Sequence, residues 1–457
     1  MSFVVLVFTI LPAGAQVSDV VVSRYEPIAR RLMETGLRNP KAYEMLERLT
    51  SEAPRRLSGS SDAAKAVELT KRMMHDLKFD NVHLELIKVP HWVRGPVERG
   101  TAIVPNGKKS PLTICALGGS IATPKGGITA EVVEVKSFEE LQALGPKAKG
   151  KIIFYNRPFD ASEFNTFEAY GGAVDQRSKG AVEAARVGGV AALVRSMTLA
   201  LDDVPHTGMM GYVDSVAKVP AAAVSTMDAN TLSEMLKKGQ KVRVKLELSC
   251  ETLPDVESAN VVGEITGSEF PNEVIVVGGH LDCWDKGSGA HDDGAGCVQA
   301  IEALRLIKEL GLKPKRTIRA VMFMNEENGL RGGKAYPVAP ERGGEKHIAA
   351  LESDRGGFAP RGITIAADSV VVRRVQSWRP LFEILSAGQL DPGYGGVDIS
   401  PLMDRGIPGF GLHPEGHRYF DYHHSANDTI DKVNARELEM GAVVEALFCY
   451  IVAQEGL

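Results

Sequence analysis

Apolar residues recur at helical spacing over Ala63–Leu77, and the chain then turns extended over Val82–Val89, so 18–95 reads as helical with one strand near its end. From about 97 to 252 the pattern changes to short apolar runs separated by glycine-rich turns. Lys151–Tyr155 reads as a strand; Ala181–Val187 reads as a helix, stopped by Gly188-Gly189 before a strand at Val190–Val194. Val219–Val224, a helix to Lys238 and Val242–Leu248 repeat the arrangement. Beyond about 258 strand, turn and helix alternate. Val274–Val277 is continuously apolar, as in a strand buried on both faces. Asp293–Leu310 predicts an amphipathic helix with Val298, Ile301, Leu304 and Ile307 on its apolar stripe, stopped by Gly311 and Pro314. Thr317–Met324 and Ile348–Leu351 read as further strands. Strands alternating with helices predict an α/β fold with a mostly parallel central sheet flanked by helices.

The 457 residues are 44% apolar and 24% charged, with net charge −5 and both signs interspersed. That is the composition of a globular chain with a sizeable core. No basic block or stripe is present, which argues against nucleic acid as a partner. Phe3–Leu11 is apolar and is followed by Ala13 and Ala15 in a small-x-small cleavage pattern, although no Lys or Arg precedes it. The run is too short to span a bilayer, so residues 1–16 read as an export signal and the mature chain as secreted or periplasmic, without a membrane anchor. Cys115, Cys250, Cys283, Cys297 and Cys449 are scattered with no CxxC pair, which argues against a disulfide framework. The expected division is therefore 1–16 signal, 17–96 the first part of the main domain, 97–252 an insert without metal-type clusters, and 253–457 the rest of the main domain.

Acid and histidine clusters lie just beyond the strands of this last segment: "GGHLDCWD" (278–285), "GAHDDGAG" (289–296), "MNEENG" (324–329) and "LESD" (351–354), with "DYHHSANDT" (421–429) in a later loop. In open α/β sheets ligands gather at the carboxyl ends of strands. A lone histidine there is usually a satisfied polar residue, and Asp293 alone would be a helix cap. Several clusters of both types together favour a metal site, and mixed histidine and carboxylate donors suit zinc.

In order, spacing and context these clusters resemble the co-catalytic zinc exopeptidase family, and segment 258–457 is similar to its plasma glutamate carboxypeptidase branch. The insert resembles a protease-associated domain more loosely. The resemblance implies two zinc ions per chain: Asp292 bridging both, His280 and Asp354 completing one site, Glu327 and His424 the other. It implies Glu326 as general base acting with a metal-bridging hydroxide, short peptides as substrates, a homodimer, and a cis Asp292–Asp293 peptide bond. Physical reasoning points the same way. Two zinc ions about 3.5–4 Å apart need a shared carboxylate, and together they acidify a water between them. If the backbone at Glu326-Glu327 is extended, their side chains diverge and take separate tasks. Asp282 is placed to accept the imidazole N–H of His280 and fix its tautomer.

Cys283 stands where relatives commonly have serine and reads as a small buried residue. His291 is read as a non-ligand, and the spacing to "SANDT" favours His424 over His423. Arg331, Arg355, Arg405 and Arg418 are candidates to bind a substrate carboxylate, each also readable as an ordinary surface charge. The leading expectation is hydrolysis of dipeptides or short peptides at a free terminus. Rivals are an aminopeptidase acting on longer peptides, a one-zinc glutaminyl cyclase, and a metal-dead interaction domain on the same scaffold. The last predicts lost ligands, and none is lost here.

Overall fold

The computed structural model describes residues 13–457; the apolar run Phe3–Leu11, and the export reading attached to it, lie outside them. Helices Ala13–Arg38, Ala42–Glu52 and Ser61–Asp76 lead into the strand Asp80–Val93. This strand pairs antiparallel with Glu251–Ile265 along its length, Val93 opposite Glu251. The chain thus leaves the main sheet at one point and re-enters beside it, after building a second sheet between.

The main sheet runs, edge to edge, through Asp80–Val93, Glu251–Ile265, Arg316–Phe323, Phe270–His280, Lys346–Glu352, Gly409–Pro414, Pro360–Ala366 and Gln389–Pro392. Its four central strands, Arg316–Phe323 to Gly409–Pro414, are mutually parallel, and antiparallel pairing begins at Glu251–Ile265 on one side and Pro360–Ala366 on the other. Val274, Ile275, Val276 and Val277 are fully buried, as strands covered by helices on both faces require. The helix predicted to start at Asp293 begins at Ala295 and runs to Glu309. It is not amphipathic in place: every residue from Ala295 to Ile307 is buried, between the sheet and the C-terminal helix Ala435–Glu455. Its polar residues are matched internally. Arg305 pairs with Glu302, and Gln299 donates to the Leu438 carbonyl (3.1 Å) while accepting from the Ser353 hydroxyl (2.8 Å).

The second sheet has four parallel strands, Ile128–Val135, Ile152–Tyr155, Ala191–Arg195 and Ala221–Val224, with antiparallel strands on either side, and its own apolar core around Ile152, Phe154, Leu193 and Val244. Arg94, just past the strand Asp80–Val93, fastens this sheet to the loop after His280. Its guanidinium donates to both oxygens of Asp285 (2.8 and 2.6 Å) and to the Ala116 carbonyl (2.5 Å).

A second buried guanidinium holds the same loop from the other side. Arg56 is fully buried and donates to the carbonyls of Leu281 (2.6 Å), Ser288 (2.6 Å) and Gly289 (2.7 Å). Gly289 is left-handed (φ 60°), and a Cβ there would meet Cys283 Sγ at 2.6 Å and Arg56 Nη2 at 2.8 Å, so only glycine fits. Replacing Arg56 by Met leaves these carbonyls buried without donors, at about 1–3 kcal/mol each. Arg56→Met is therefore expected to lose about 3 kcal/mol or more in urea unfolding, with Arg56→Lys recovering only part; a loss below about 1 kcal/mol would contradict this role.

Candidate metal centre

His280 ends its strand, with Phe323 opposite it on one neighbour, and Gly278 two residues earlier faces Glu352 on the other. Register alone thus brings the residues just past three parallel strands to one edge: His280, the Glu326-Glu327 turn and Asp354. Asp292 comes from the turn before the helix Ala295–Glu309, and His424 from the segment after the short helix Tyr419–Tyr422. The Asp292–Asp293 peptide bond is cis.

These side chains converge on Asp292, whose two oxygens face different partners. Oδ1 lies 3.2 Å from His280 Nε2, which is also 3.4 Å from Asp354 Oδ1. Oδ2 lies 3.3 Å from His424 Nε2, which is 3.0 Å from Glu327 Oε2. His423 stacks on His424 with ring centres 3.5 Å apart, and its Nε2 is farther from Asp292, at 3.8 Å. Glu327 also accepts from the Trp284 backbone N–H (3.2 Å). Glu326 and Glu327 lie in a turn, so the condition of an extended backbone is not met there, and the Glu326 carboxylate makes no hydrogen bond among the described residues.

Asp282 acts differently from the expectation. The His280 Nδ1–H meets the Asp282 backbone carbonyl (2.9 Å), not its side chain. The carboxylate turns to the neighbouring loop, accepting from the backbone N–H groups of Asn325 (2.7 Å) and Glu326 (3.0 Å). A carbonyl can only accept, so His280 Nδ1 carries the proton and Nε2 presents its lone pair, or a second proton, to two carboxylates. Asp292 Oδ2 and Asp354 Oδ1 are buried without a hydrogen-bond partner. Cations between these groups would satisfy them all, and the donor set is one that zinc accepts.

The electrostatics reflect that crowding. Burial, reinforced by the charge of Asp292, pushes Glu327 well above the ordinary carboxylate range. Burial also raises Asp354. Glu326 is pushed up to about 8, by burial first and then by Asp354, Asp282 and Asp292 acting against His280. Asp292 alone is held low: burial would raise it, but its hydrogen bond to His280 and the nearby His424 and His423 outweigh that. Burial drives His423 down to about 3 and His424 lower than usual.

The carboxylates around this cluster each hold a loop by its backbone. Asp428 accepts from the N–H groups of His291 (2.7 Å) and Asp292 (3.1 Å). Asp293 accepts from His280 (3.0 Å) and Gly296 (2.9 Å). A Cβ on Gly296 would overlap the Ser353 carbonyl oxygen and lie 2.6 Å from both Asp293 oxygens, which explains the glycine. Glu352 accepts from Val397 and Ile399 (2.9 Å each). Asp428 sits four residues past His424 in the quoted "DYHHSANDT", a spacing that marked it without assigning it a task.

The groups surround a cavity of about 380 Å³, within the usual range for ligand clefts. One wall comes from the second-sheet segment, through Phe167, Tyr170, Arg177 and Met209. The sequence offered no metal-type cluster there. Arg177 reaches His424 (3.3 Å) while donating to the Tyr170 hydroxyl (2.7 Å). Cys283 and the other cysteines are buried and free. His291 stacks beside Phe358 and Tyr422 and does not line the cavity.

A carboxyl that binds its proton more tightly folded than unfolded stabilises the fold below its unfolded pKa and loses that contribution as pH climbs through the folded one. For Glu326 this window runs from its ordinary 4.5 to about 8, and Glu327 and Asp354 shift in the same direction. Chelator-treated protein is expected to melt at steadily lower temperature across that window, with zinc reversing the trend. Circular-dichroism melts showing no pH dependence in the metal-free protein would count against this.

The model of peptidase family M28 matches residues 260–447. Carboxypeptidase Q of Mus musculus is 38% identical over 435 residues, covering 94% of this chain and 90% of the mouse protein. A crystal structure of a peptidase M28 precursor from Shewanella amazonensis is 35% identical, superposes with a TM-score of 0.89, and covers 96% of this chain and 98% of its own. The zinc aminopeptidase of Bacillus subtilis, at 20% identity, shares the fold with a TM-score of 0.62 over 89% of this chain and 93% of its own. With a family model across the metal-side segment and a relative of this identity aligned along nearly its whole length, the chain belongs to peptidase family M28, in the group that includes carboxypeptidase Q.

Proposed function

We propose that this M28 metallopeptidase is a two-zinc exopeptidase, secreted or periplasmic and, by family resemblance, homodimeric, that hydrolyses dipeptides and short peptides with a free terminus. The observation that carries the reading is the division of Asp292: one oxygen faces His280, beside Asp354, and the other faces His424, beside Glu327. His280 and Asp354 would hold one ion, Glu327 and His424 the other, and Asp292 both. When bound, the ions supply polarisation of the scissile carbonyl and a more acidic water.

The remaining work falls to the protein. Glu326, in the cavity wall and free of hydrogen-bond partners, accepts the proton of the attacking water and delivers it to the leaving nitrogen. The shift to about 8 belongs to the metal-free cluster; cations among the neighbouring carboxylates would lower it and leave Glu326 ionised, as a general base must be. Asp282 is a positioning residue, keeping the Glu326 backbone in place through its N–H. Phe167, Tyr170 and Met209 narrow the cavity from the second-sheet side, which favours short substrates.

Elemental analysis tests the metal assignment. Purified protein is expected to hold two zinc equivalents, Asp292→Ala to lose both, and His424→Ala to keep about one; full occupancy in Asp292→Ala would sink the assignment. Glu326→Gln keeps the shape and removes the basicity. It should retain metal and lose about 10²–10⁴-fold in kcat, and near-normal turnover would mean the base lies elsewhere. The same assay compares a dipeptide, its N-acetyl form and a longer peptide of the same sequence. Unblocked dipeptide should be cleaved fastest, whereas equal rates on the long peptide would favour the aminopeptidase reading.

A further inference from the structure

The arginines flanking the motif segments separate clearly. Arg331 is exposed and paired with Asp255 (2.7 Å). Arg418 is exposed beside Glu415 and Glu437, and Arg405 is exposed outside the cavity. Arg177 lines the cavity but is engaged by the Tyr170 hydroxyl and the Thr207 carbonyl. Arg355 differs from all of these. It lines the cavity one residue past Asp354, lies over the Phe167 ring (4.9 Å), and makes no hydrogen bond or ion pair with any described residue.

Asp354 and Glu352 act on this guanidinium only at longer range, and a partly buried guanidinium with no hydrogen-bonded anion is costly unless a ligand supplies one. Its planar fork matches a carboxylate through two parallel hydrogen bonds, and an aromatic ring beneath holds the plane. In a dipeptide the free carboxylate lies about one residue, ~3.8 Å, from the scissile carbonyl. Its anchor must therefore stand beside the metal-binding carboxylates, which is where Arg355 is rooted. Arg355 and Phe167 also line an adjoining cavity of about 410 Å³, so the guanidinium marks the boundary between the metal-side space and the space beyond it.

We propose that Arg355, stacked on Phe167, is the specificity-determining anchor for the free α-carboxylate of the substrate's leaving residue, an inference that rests on the exopeptidase reading of the metal centre. It makes peptides with a free carboxylate one residue past the scissile bond the preferred class, and dipeptides its simplest members.

The test measures kcat/KM for a dipeptide and for its C-terminal amide, using zinc-loaded wild type, Arg355→Gln and Arg355→Lys, with zinc content determined for each. Wild type should prefer the acid by about 10- to 100-fold, the worth of a charge-assisted pair. Arg355→Gln should bring the acid-to-amide ratio close to one, and Arg355→Lys should restore part of it. A wild-type ratio near one overturns the anchor whatever the variants do. So does an equal fall on acid and amide in Arg355→Gln, which a purely structural arginine would give. Absence of hydrolysis of either compound by zinc-loaded wild type would instead remove the exopeptidase reading itself, and the anchor with it.

Discussion

Asp292, Glu327 and Asp354 are held against one another at the carboxyl edge of the main sheet, and charges of one sign repel strongly where water screens them weakly. Without positive charge, burial first and that repulsion second favour the protonated carboxyls, which is why Glu326, Glu327 and Asp354 all shift upward while Asp292, nearest the histidines, does not. A fold that pays for such crowding must hold its members rigidly, since small displacements would let the carboxylates turn away to solvent. Much of the surrounding structure is explained by that demand.

The rigidity comes from a web of buried charges bonded to backbone. Asp428, Asp282, Asp293 and Glu352 each accept N–H groups from a loop that carries, or adjoins, one of the converging residues. Arg56 is their cationic counterpart, donating to carbonyls on both sides of the turn between His280 and Asp292. Apart from Asp282 Oδ2, which is buried without a partner, these charged groups meet peptide groups rather than neighbouring side chains. Backbone groups cannot rotate away independently, so this arrangement fixes loop position as well as compensating burial.

The second sheet belongs to the same arrangement. Arg94 ties it to Asp285, and the Thr207 N–H donates to the His424 carbonyl (2.9 Å). Phe167 and Tyr170 stack on Tyr419 and Phe420, beside the histidine pair. The segment that supplies no acid or histidine to the cluster therefore shapes the space in which a substrate must lie, and supplies the ring beneath Arg355.

The α/β alternation, the buried strand at Val274–Val277 and the strand-end clusters were legible in the sequence because each depends on local period and spacing. The C-terminal strands Pro360–Ala366, Gln389–Pro392 and Gly409–Pro414 were not. They are short and interrupted by Gly or Pro, and are held in the sheet by neighbours distant in sequence. The helix Ala295–Glu309 looked amphipathic because Gln299, Glu302 and Arg305 are polar, whereas packing buries them with partners that the pattern could not reveal. For the candidate site, the sequence supplied the donor residues and their order. It could not supply the roles of Arg56, Arg177 and Asp428, whose partners come from other loops, nor the turn of Asp282 toward Asn325 and Glu326. Nor could it separate Arg355 from the other arginines. A side chain's charge is written in the sequence, but whether that charge meets a partner depends on which distant segments the fold brings beside it.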